Sequence, residues 1–257
     1  MYAVTLRNPW PYAIAKGWKS EETRTHKRLR SLVGCRIAIH AGLGWDAFAL
    51  AAMDPYLTPD QRTEMRGMSR ADFPTGIVCT GFASGFRELT HQDSGEALFS
   101  IDALLYGLHL QDVYALPVPT PATGRQYTWQ WPGAPLRLFG SRQVPEAIAY
   151  AEKANGQALH VWKPPTNVQG KSVWPGGATP MCFQNCKTWG HLIDADADRL
   201  VATAERFGVR RVIVGRRGTR SQHIDLCGKP LQRAIMAALR NLPEEEEQQK
   251  AANQTVA

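Results

Sequence analysis

The spacing of hydrophobic and polar residues predicts several short strands and fewer helices in the first part of the chain. Apolar and polar positions follow patterns typical of strands over residues 1–7, 36–41, 76–86, 97–101 and 127–131. Helical spacing occurs over residues 12–16 and 45–53, and Thr58-Pro59-Asp60-Gln61 is typical of a helix start. This pattern favours a small, mostly β barrel that carries helices.

The chain changes character near residue 145. Proline and glycine are frequent over residues 145–180, and we interpret residues 151–180 as the connection between two domains. Amphipathic segments at 196–207 and 230–239 then flank a short apolar strand at 211–214, which predicts a small α/β domain over residues 181–242. Residues 243–257 lack apolar periodicity, and we predict that they form a disordered acidic tail. The expected fold class is therefore α+β, with a first domain over residues 1–150.

Composition narrows the class of protein and of partner. Of the 257 residues, 44% are hydrophobic and 21% charged, which excludes a collagen, a coiled coil and a wholly disordered chain. Apolar runs are too short for a membrane span, and the first residues do not resemble a signal peptide, so we expect a cytoplasmic protein without a membrane partner. The formal charge of +7 and two arginine-rich clusters favour a polyanionic partner: RNA, DNA, a nucleotide or phosphate. Five cysteines in this setting do not predict a disulfide framework.

The most informative segment lies between residues 7 and 24. Gly17 is expected to end a short helix, and an extended stretch then brings Lys19, Glu22 and Arg24 close together. If this stretch is a strand, its alternation places Glu22 and Arg24 on one face. A lysine beside a carboxylate either forms an exposed salt bridge or, when desolvated, anchors phosphate or acts as a base or nucleophile.

These residues carry a resemblance to a known family. Pro9-Trp10, then Gly17-x-Lys19-x-x-Glu22-x-Arg24, then Ile37-Ala38-Ile39-His40-Ala41 resemble the start of an ASCH domain. Tyr127-x-Trp129, Pro135-Leu136 and Gly140 are similar to the end of such domains. The resemblance covers about residues 1–150 and implies a PUA-like β-barrel with a cleft that binds RNA or a nucleotide.

The resemblance also implies roles for residues in that cleft. In a branch of the family that removes the acetyl group from N4-acetylcytidine, a lysine, a threonine three residues later and a distant glutamate carry the chemistry. Lys19 matches the lysine, Glu22 stands at the threonine position, and Glu88 and Glu96 are alternatives for the glutamate. Lys19 would activate water or attack a carbonyl carbon, Glu22 would relay protons, and Arg24 would hold a phosphate or an oxyanion. The expected nucleotide-binding residues are Asn8, Pro9, Trp10, His40 and Tyr127.

A second polar group lies between residues 191 and 225. His191, Asp194, His223 and Asp225 are candidate ligands of a divalent metal, and His223 and Asp225 are also a candidate acid–base pair. Asp194 or Asp196 could instead serve as the N-cap of the helix that follows. The motifs His191-Leu192-x-x and His223-Ile224-Asp225-Leu226 resemble those of a small family of unknown function found in bacterial and phage proteins. Cys182-x-x-x-Cys186, with His191 nearby, is a second candidate for part of a zinc site.

Together these features predict a two-domain protein that acts on nucleic acid or nucleotides. The first hypothesis is a hydrolase, either a modified-base amidohydrolase or a ribonuclease-like enzyme. The alternative is a non-catalytic reader of RNA or modified nucleotides, and the sequence leaves open whether the protein is an enzyme. No cofactor is indicated beyond the divalent metal of the second domain, and no P-loop or dinucleotide-binding motif is present.

Overall fold

The chain folds as two compact units, of which the first is Met1–Pro132 and the second begins at Gly133. The structure is a computed structural model, and it describes residues 1–174 and 178–241. The division falls before the predicted domain end at residue 150, because a helix and a strand between residues 144 and 162 pack into the second unit. The interval 151–180 therefore does not separate the two units. The predicted acidic tail at 243–257 lies outside the described residues.

Unit 1, residues 1–132, is built mainly from one sheet with short helices around it. Its strands are β1 (Tyr2–Asn8), β2 (Glu21–Arg24), β3 (Arg36–Trp45), β4 (Gly76–Glu88), β5 (Tyr106–Thr120) and β6 (Thr128–Gln130). Its α-helices are α1 (Trp10–Ala15), α2 (Ala49–Met53), α3 (Pro59–Gly67) and α4 (Ser94–Ala97), and 3₁₀ segments lie at Lys27–Leu32, Asp54–Tyr56, Arg70–Asp72 and His91–Asp93.

The sheet of unit 1 is a curled half-barrel with strand order β2-β5-β4-β3-β1-β6. Strands β1 and β3 pair in parallel, and the chain between them contains α1 and β2, which supply the crossover that a parallel pair needs. The other neighbouring strands are antiparallel. Apolar side chains from β1, β3, β4 and β5 form a core with Ile14 of α1 and with Leu29 and Leu32 of the first 3₁₀ turn. Strand β2, which contains Glu22 and Arg24 and begins two residues after Lys19, is one edge of this sheet.

Two sequence expectations for unit 1 were wrong. Residues 97–101 are not a strand, because Ala97 ends α4 and Leu98 turns the chain with a φ of +59°. Ala97 and Ile101 instead pack with Leu89 in a small apolar cluster. Residues 45–53 are not one helix either, since Trp45 belongs to β3 and α2 begins at Ala49. Thr58 does begin a helix, as expected, and its side chain and that of Gln61 form a capping box.

Unit 2 consists of a five-stranded sheet and four helices among the residues described. The strands are β7 (Arg137–Phe139), β8 (Gln157–Trp162), β9 (Trp189–Asp194), β10 (Val214–Gly215) and β11 (His223–Cys227), and the helices are α5 (Val144–Lys153), α6 (Met181–Gln184), α7 (Ala197–Arg206) and α8 (Gly228–Leu239). The strand order is β10-β11-β9-β8-β7, and β7 and β8 pair in parallel while the other neighbours are antiparallel. No described helix is long and apolar enough to cross a membrane.

The two faces of the unit 2 sheet differ in chemistry. Leu159, Leu192 and Ile224 lie opposite one another on neighbouring strands and form an apolar core with α7 and α8. The alternate positions carry His160, His191 and Asp225, which also lie in register across β8, β9 and β11. Because successive side chains of a strand point to opposite faces, the first set packs into the hydrophobic core and the second set lies together on the other face.

Candidate functional site

Lys19 is fixed by backbone hydrogen bonds between α1 and β2. Gly17 ends α1 with a φ of +72°, a conformation that glycine adopts without steric cost, and Lys19 N then donates to Ala13 O at 3.2 Å. Ser20 N donates to Glu96 O at 3.1 Å, and Ser20 O accepts from Leu110 N at 2.8 Å. The chain therefore enters β2 with Lys19 held on both sides.

The ammonium group of Lys19 is removed from solvent. The residue is 2% exposed, and its Nζ donates to Ala97 O at 2.7 Å. The rings of Trp10 and Phe99 lie 5.1 and 5.5 Å from Nζ. Burial lowers the pKa of Lys19 to about 8, and the negative charges of Glu22 and Glu21 oppose the shift. The lowered pKa makes the free amine easier to reach near neutral pH than for an exposed lysine.

Glu22 and Arg24 lie on the same face of β2, as the alternation predicted. Glu22 is 4% exposed, and its Oε1 lies 3.0 Å from Arg24 Nη2. Both side chains line the cavity that Lys19 also lines. The three residues singled out by the sequence motif are therefore together, with a buried carboxylate between a buried amine and a half-buried guanidinium.

Glu21 points to the opposite face of β2, and the sequence analysis gave it no role. It is fully buried, and its Oε1 lies 3.0 Å from Arg87 Nη2 and 3.1 Å from His109 Nδ1. Burial raises the pKa of Glu21, against the attraction of Arg87 and His109. Arg87 also lies 3.5 Å from Glu96 Oε2, so a guanidinium already supplies positive charge to this acidic group. Because Glu21 and Glu22 are successive residues of a strand, alternation predicts that their side chains lie on opposite faces.

The cavity of unit 1 has a volume of about 1410 Å³. Its charged lining is mainly cationic and comprises Arg7, Lys19, Arg24, Arg28 and Arg125, with the carboxylates Glu22 and Asp46. Single small-molecule pockets generally span about 300–1,000 Å³, so this cavity has room for a nucleotide with flanking residues of a strand. The excess of guanidinium groups matches an anionic, phosphate-containing ligand.

Large apolar side chains stand exposed at the cavity. Leu43 is 91%, Phe48 83% and Tyr127 61% exposed, and all three line it. Tyr127 has a φ of +63°, an unfavourable conformation for a bulky residue, and the Arg28 guanidinium lies 4.5 Å from its ring centre. Exposed aromatic faces beside arginines are typical of sites that stack nucleobases. The sequence analysis identified Tyr127 but not Leu43 or Phe48, since exposure cannot be inferred for isolated apolar residues.

The other expected nucleotide-binding residues divide into two groups. Trp10 and His40 line the cavity, and Trp10 Nε1 donates to Asp46 Oδ2 at 2.9 Å. His40 Nε2 lies 3.0 Å from Ala122 O, and burial lowers the pKa of its imidazole. Asn8 and Pro9 are not among the lining residues: Asn8 Nδ2 donates to Pro74 O at 3.0 Å, and Pro9 is the N-cap of α1.

Neither expected candidate for a distant catalytic glutamate lines the cavity. Glu88 is the last residue of β4, and Glu96 lies in α4 with its carboxylate near Arg87. The second carboxylate of the cavity is Asp46, which the sequence analysis missed. It follows directly after β3, and its Oδ1 accepts from Phe48 N at 3.1 Å.

In unit 2, the structure brings together three of the four expected metal ligands. His191 Nε2 lies 3.2 Å from Asp225 Oδ1, and His223 Nε2 lies 3.8 Å from the same oxygen. The His191 and His223 rings lie 4.6 Å apart. His223 Nδ1 donates to Ser221 O at 2.8 Å, and burial lowers the pKa of His223. The neutral ring therefore keeps the lone pair of Nε2 on the side of Asp225.

Asp194 is not part of this group. It is fully buried and accepts two hydrogen bonds from Arg199, both at 2.7 Å, and one from Gln157 Nε2 at 2.8 Å. The N-cap of α7 is Asp196, whose Oδ1 accepts from Asp198 N and Arg199 N. The structure therefore does not place Asp194 with the other three expected ligands, because its carboxylate is engaged in an ion pair with Arg199.

The three cysteines of unit 2 lie near one another at the start of α8. Cys186 Sγ and Cys227 Sγ both donate to Cys182 O, at 3.2 and 3.3 Å. Burial raises the pKa of Cys227 to about 12, and the thiols of Cys186 and Cys182 add to the shift. His191 belongs to the Asp225 group and does not form a set with these thiols.

Comparison with known proteins yields matches among solved structures. No protein-family model and no curated protein matches the chain. Among solved structures, the chain is similar to the crystal structure of a mutant ZmASCH protein from Zymomonas mobilis, with 14% sequence identity and a TM-score of 0.28. The match covers 44% of this chain and 70% of that chain. A likeness at this level does not assign the chain to a family.

Proposed function

We propose that unit 1 binds a nucleotide or a single-stranded nucleic acid in its cavity and hydrolyses a bond of the bound residue, with Lys19 as general base. The observation that carries the proposal is the state of Lys19, a buried amine with a pKa of about 8 at the wall of a large cationic cavity. Perturbed titrating groups in clefts are characteristic of active sites.

The binding step is supported by the chemistry around the cavity. Arg24, Arg28 and Arg125 can contact phosphate oxygens through forked N–H donors. Tyr127 and Phe48 offer exposed ring faces on which a base can stack. A base bound in this way is presented to the wall that holds Lys19 and Glu22.

The chemical step is the addition of water across an amide or ester bond of a modified base. Neutral Lys19 takes a proton from water while the oxygen of that water bonds to the carbonyl carbon. Arg24, already beside Glu22, stabilises the negative oxygen that develops. Lys19 then returns this proton to the leaving nitrogen or oxygen as the bond breaks, directly or relayed through the Glu22 carboxylate, which restores the resting state.

The resemblance of residues 1–150 to ASCH domains supports the same cleft and the same lysine. The position that holds threonine in the amidohydrolase branch holds Glu22 here. Because Glu22 is a carboxylate in contact with Arg24, its chemistry differs from that of a hydroxyl. We therefore propose hydrolysis of a modified base as the reaction class without assigning the acyl group.

A non-catalytic reader is the second candidate function. It is favoured by the contacts that the charged groups of the motif make within the protein: Lys19 donates to Ala97 O, and Glu22 contacts Arg24. In that case Lys19 remains protonated and contributes only charge, and the cavity holds its ligand without changing it. The two candidates differ in which protonation state of Lys19 is active.

The experiment is mass spectrometry of a panel of modified nucleosides, nucleotides and short RNAs incubated with the wild type, Lys19→Ala and Lys16→Ala. Lys16 is the matched control, because it is a neighbouring lysine that pairs with Glu64 at 2.6 Å and does not line the cavity. For a hydrolase we expect a product from the wild type and Lys16→Ala but not from Lys19→Ala. The rate should rise with pH to a plateau above about 8.

Two results would contradict the hydrolase. Unchanged turnover by folded Lys19→Ala would remove the general base from the mechanism. A ligand that is retained without product, with an affinity that falls above pH 8, would instead identify the reader. A backbone reader would also lose affinity steeply as salt is raised, whereas a single-nucleoside site would not.

A further inference from the structure

We infer that unit 2 contains a binding site for a divalent transition metal, with His191 Nε2, His223 Nε2 and Asp225 Oδ1 as its protein ligands. The inference concerns unit 2 alone and does not depend on the function proposed for unit 1. It rests on two observations: the distances between the three donor atoms, and the burial of Asp225 Oδ1 without a hydrogen-bond donor in the described part of the chain.

The spacing of the donor atoms matches one metal ion. The three atoms all lie within 4.8 Å of one another, and Asp225 Oδ1 lies 3.2 and 3.8 Å from the two imidazole nitrogens. Two ligands bound to zinc at about 2.0–2.1 Å and at a tetrahedral angle are about 3.3 Å apart. A single ion can therefore contact all three atoms with small side-chain movements.

Asp225 Oδ1 supplies the second observation. It is shielded from solvent, and no hydrogen-bond donor among the described residues reaches it with acceptable geometry. A buried carboxylate oxygen without a donor is costly, and it is normally compensated by a partner or by a metal. The nearest polar atoms are the two imidazole nitrogens, which are themselves metal-binding groups.

The surrounding residues hold the ligands in place. The Ser221 carbonyl fixes the His223 tautomer, an arrangement typical of metal-bound histidines. Trp162 packs against His191 with ring centres 4.0 Å apart, and the His160 ring stacks near both, 5.6 Å from the His191 ring and 5.3 Å from the Trp162 ring. His160 lies outside the ligand group, and its Nε2 is directed at Ser141 O at 3.3 Å.

The donor set indicates the kind of metal. Two imidazoles and one carboxylate suit zinc, iron and related ions, whereas calcium and magnesium prefer all-oxygen sites. The His191 and Asp225 side chains are 27% and 25% exposed, so the site communicates with solvent. Three protein ligands with a solvent-accessible position are the arrangement of catalytic zinc sites.

The cysteines near α8 offer a competing explanation for metal binding by unit 2, and the experiment must separate the two sites. The full-length protein is stripped with chelator and titrated with Zn²⁺ by calorimetry, and then loaded with Co²⁺ for absorption spectroscopy. The variants are Asp225→Asn, His223→Gln and the double variant Cys182→Ser/Cys186→Ser. Circular dichroism establishes that each variant is folded.

We expect one Zn²⁺ per chain in the wild type and in the cysteine variant. Asp225→Asn and His223→Gln should each weaken binding by more than about 100-fold, which exceeds the 10–100-fold effect of losing an outer-shell partner. The Co²⁺ spectrum should lack thiolate charge-transfer bands. Zinc binding that survives in the folded Asp225 and His223 variants, or that is lost in the cysteine variant, would overturn the assignment, as would absence of stoichiometric binding by the wild type.

Discussion

The Lys19 group of unit 1 and the Asp225 group of unit 2 hold buried polar atoms in opposite ways. Lys19 donates to a carbonyl, and neighbouring carboxylates offset its charge. Asp225 Oδ1 is shielded from solvent without a donor, beside two imidazoles. In both units, the opposite face of the same strands has a structural role. Glu21 forms an ion pair with Arg87 on the face of β2 opposite Glu22. Leu192 and Ile224 pack into the core on the face opposite the histidines.

The two clusters differ in how far the protein itself compensates their charges. The charges near Lys19 are compensated within the protein, so its chemistry depends on where the lysine proton is. The carboxylate of Asp225 is compensated only in part, so its chemistry depends on what binds to it. The following predictions test this distinction, beginning with the largest expected effect.

Asp194 and Asp225 should differ sharply in their contribution to the stability of the metal-free protein. Asp194→Ala leaves the Arg199 guanidinium without its buried partner and should lower the free energy of unfolding by about 3–5 kcal/mol. Asp225→Asn removes a charge that no donor satisfies at Oδ1 and should change it by less than about 1 kcal/mol. Urea unfolding measures both values. Similar losses for the two variants would erase the distinction between a structural and a ligand carboxylate.

Stability at alkaline pH should report the buried Lys19. Its pKa falls from 10.5 to about 8 on folding, so between these pH values the unfolded chain binds a proton that the folded protein has lost. The free energy of unfolding of the wild type should therefore rise relative to Lys19→Met, by about 1.4 kcal/mol per pH unit and about 3 kcal/mol in all. The penalty of burying the charge is present below pH 8 and is relieved as pH rises. Lys16→Met is the control, and parallel pH profiles for the wild type and Lys19→Met would show that Lys19 titrates normally.

A glycine beside the metal site offers a way to disturb it without removing a ligand. A Cβ at Gly215 would lie 2.9 Å from His223 Nε2, so the alanine methyl would displace this nitrogen from Asp225. Gly215→Ala should weaken Zn²⁺ binding by about tenfold, or about 1.4 kcal/mol. Gly95→Ala is the matched control, because open space surrounds that position. Equal zinc affinities of the two variants would place the metal elsewhere.

The smallest effect on folding is expected from the rim of the unit 1 cavity. Tyr127→Ala removes an exposed ring that contacts Arg28, so the free energy of unfolding should change by about 0.5 kcal/mol or less. If this ring stacks on a base, affinity for a bound oligonucleotide should fall by about 1 kcal/mol. Fluorescence anisotropy with a labelled oligonucleotide measures the loss, and Tyr2→Ala, an exposed tyrosine outside the cavity lining, is the control. An unchanged affinity of Tyr127→Ala for the oligonucleotide would show that this ring does not stack on a base.

Local patterns predicted much of unit 1 but not its longest strand. The alternation at residues 21–24 predicted the shared face of Glu22 and Arg24, which the structure contains. Strand β5 was missed because Pro117 and Pro119 resemble breaks in a strand; they lie where the β4–β5 register shifts. The partner of Lys19 could not be predicted at all, since it is a backbone carbonyl 78 residues away.

In unit 2 the spacing of the polar residues along the chain indicates which of them share a face of the sheet. His223 and Asp225 are two residues apart and His191 and Asp194 three apart. In strands, the first spacing places side chains on one face and the second on opposite faces. The even spacing thus keeps His223 and Asp225 on one face, whereas the odd spacing puts Asp194 on the opposite face from His191. The pairing of His191 with Asp225, in contrast, depends on the register of β9 and β11, which no local pattern determines.

The pairing of β2 with β5 has a consequence for the order of folding. Glu21 and His109, which lie opposite each other in these strands, are 88 residues apart in the chain. Long-range pairings of this kind form late, because closing the intervening loop costs chain entropy before contacts compensate. During synthesis, the motif residues emerge from the ribosome before β5 and cannot adopt their final arrangement until β5 has followed. The Lys19 environment is thus completed only once most of unit 1 exists, and fragments that end before residue 106 would contain the motif without the cavity.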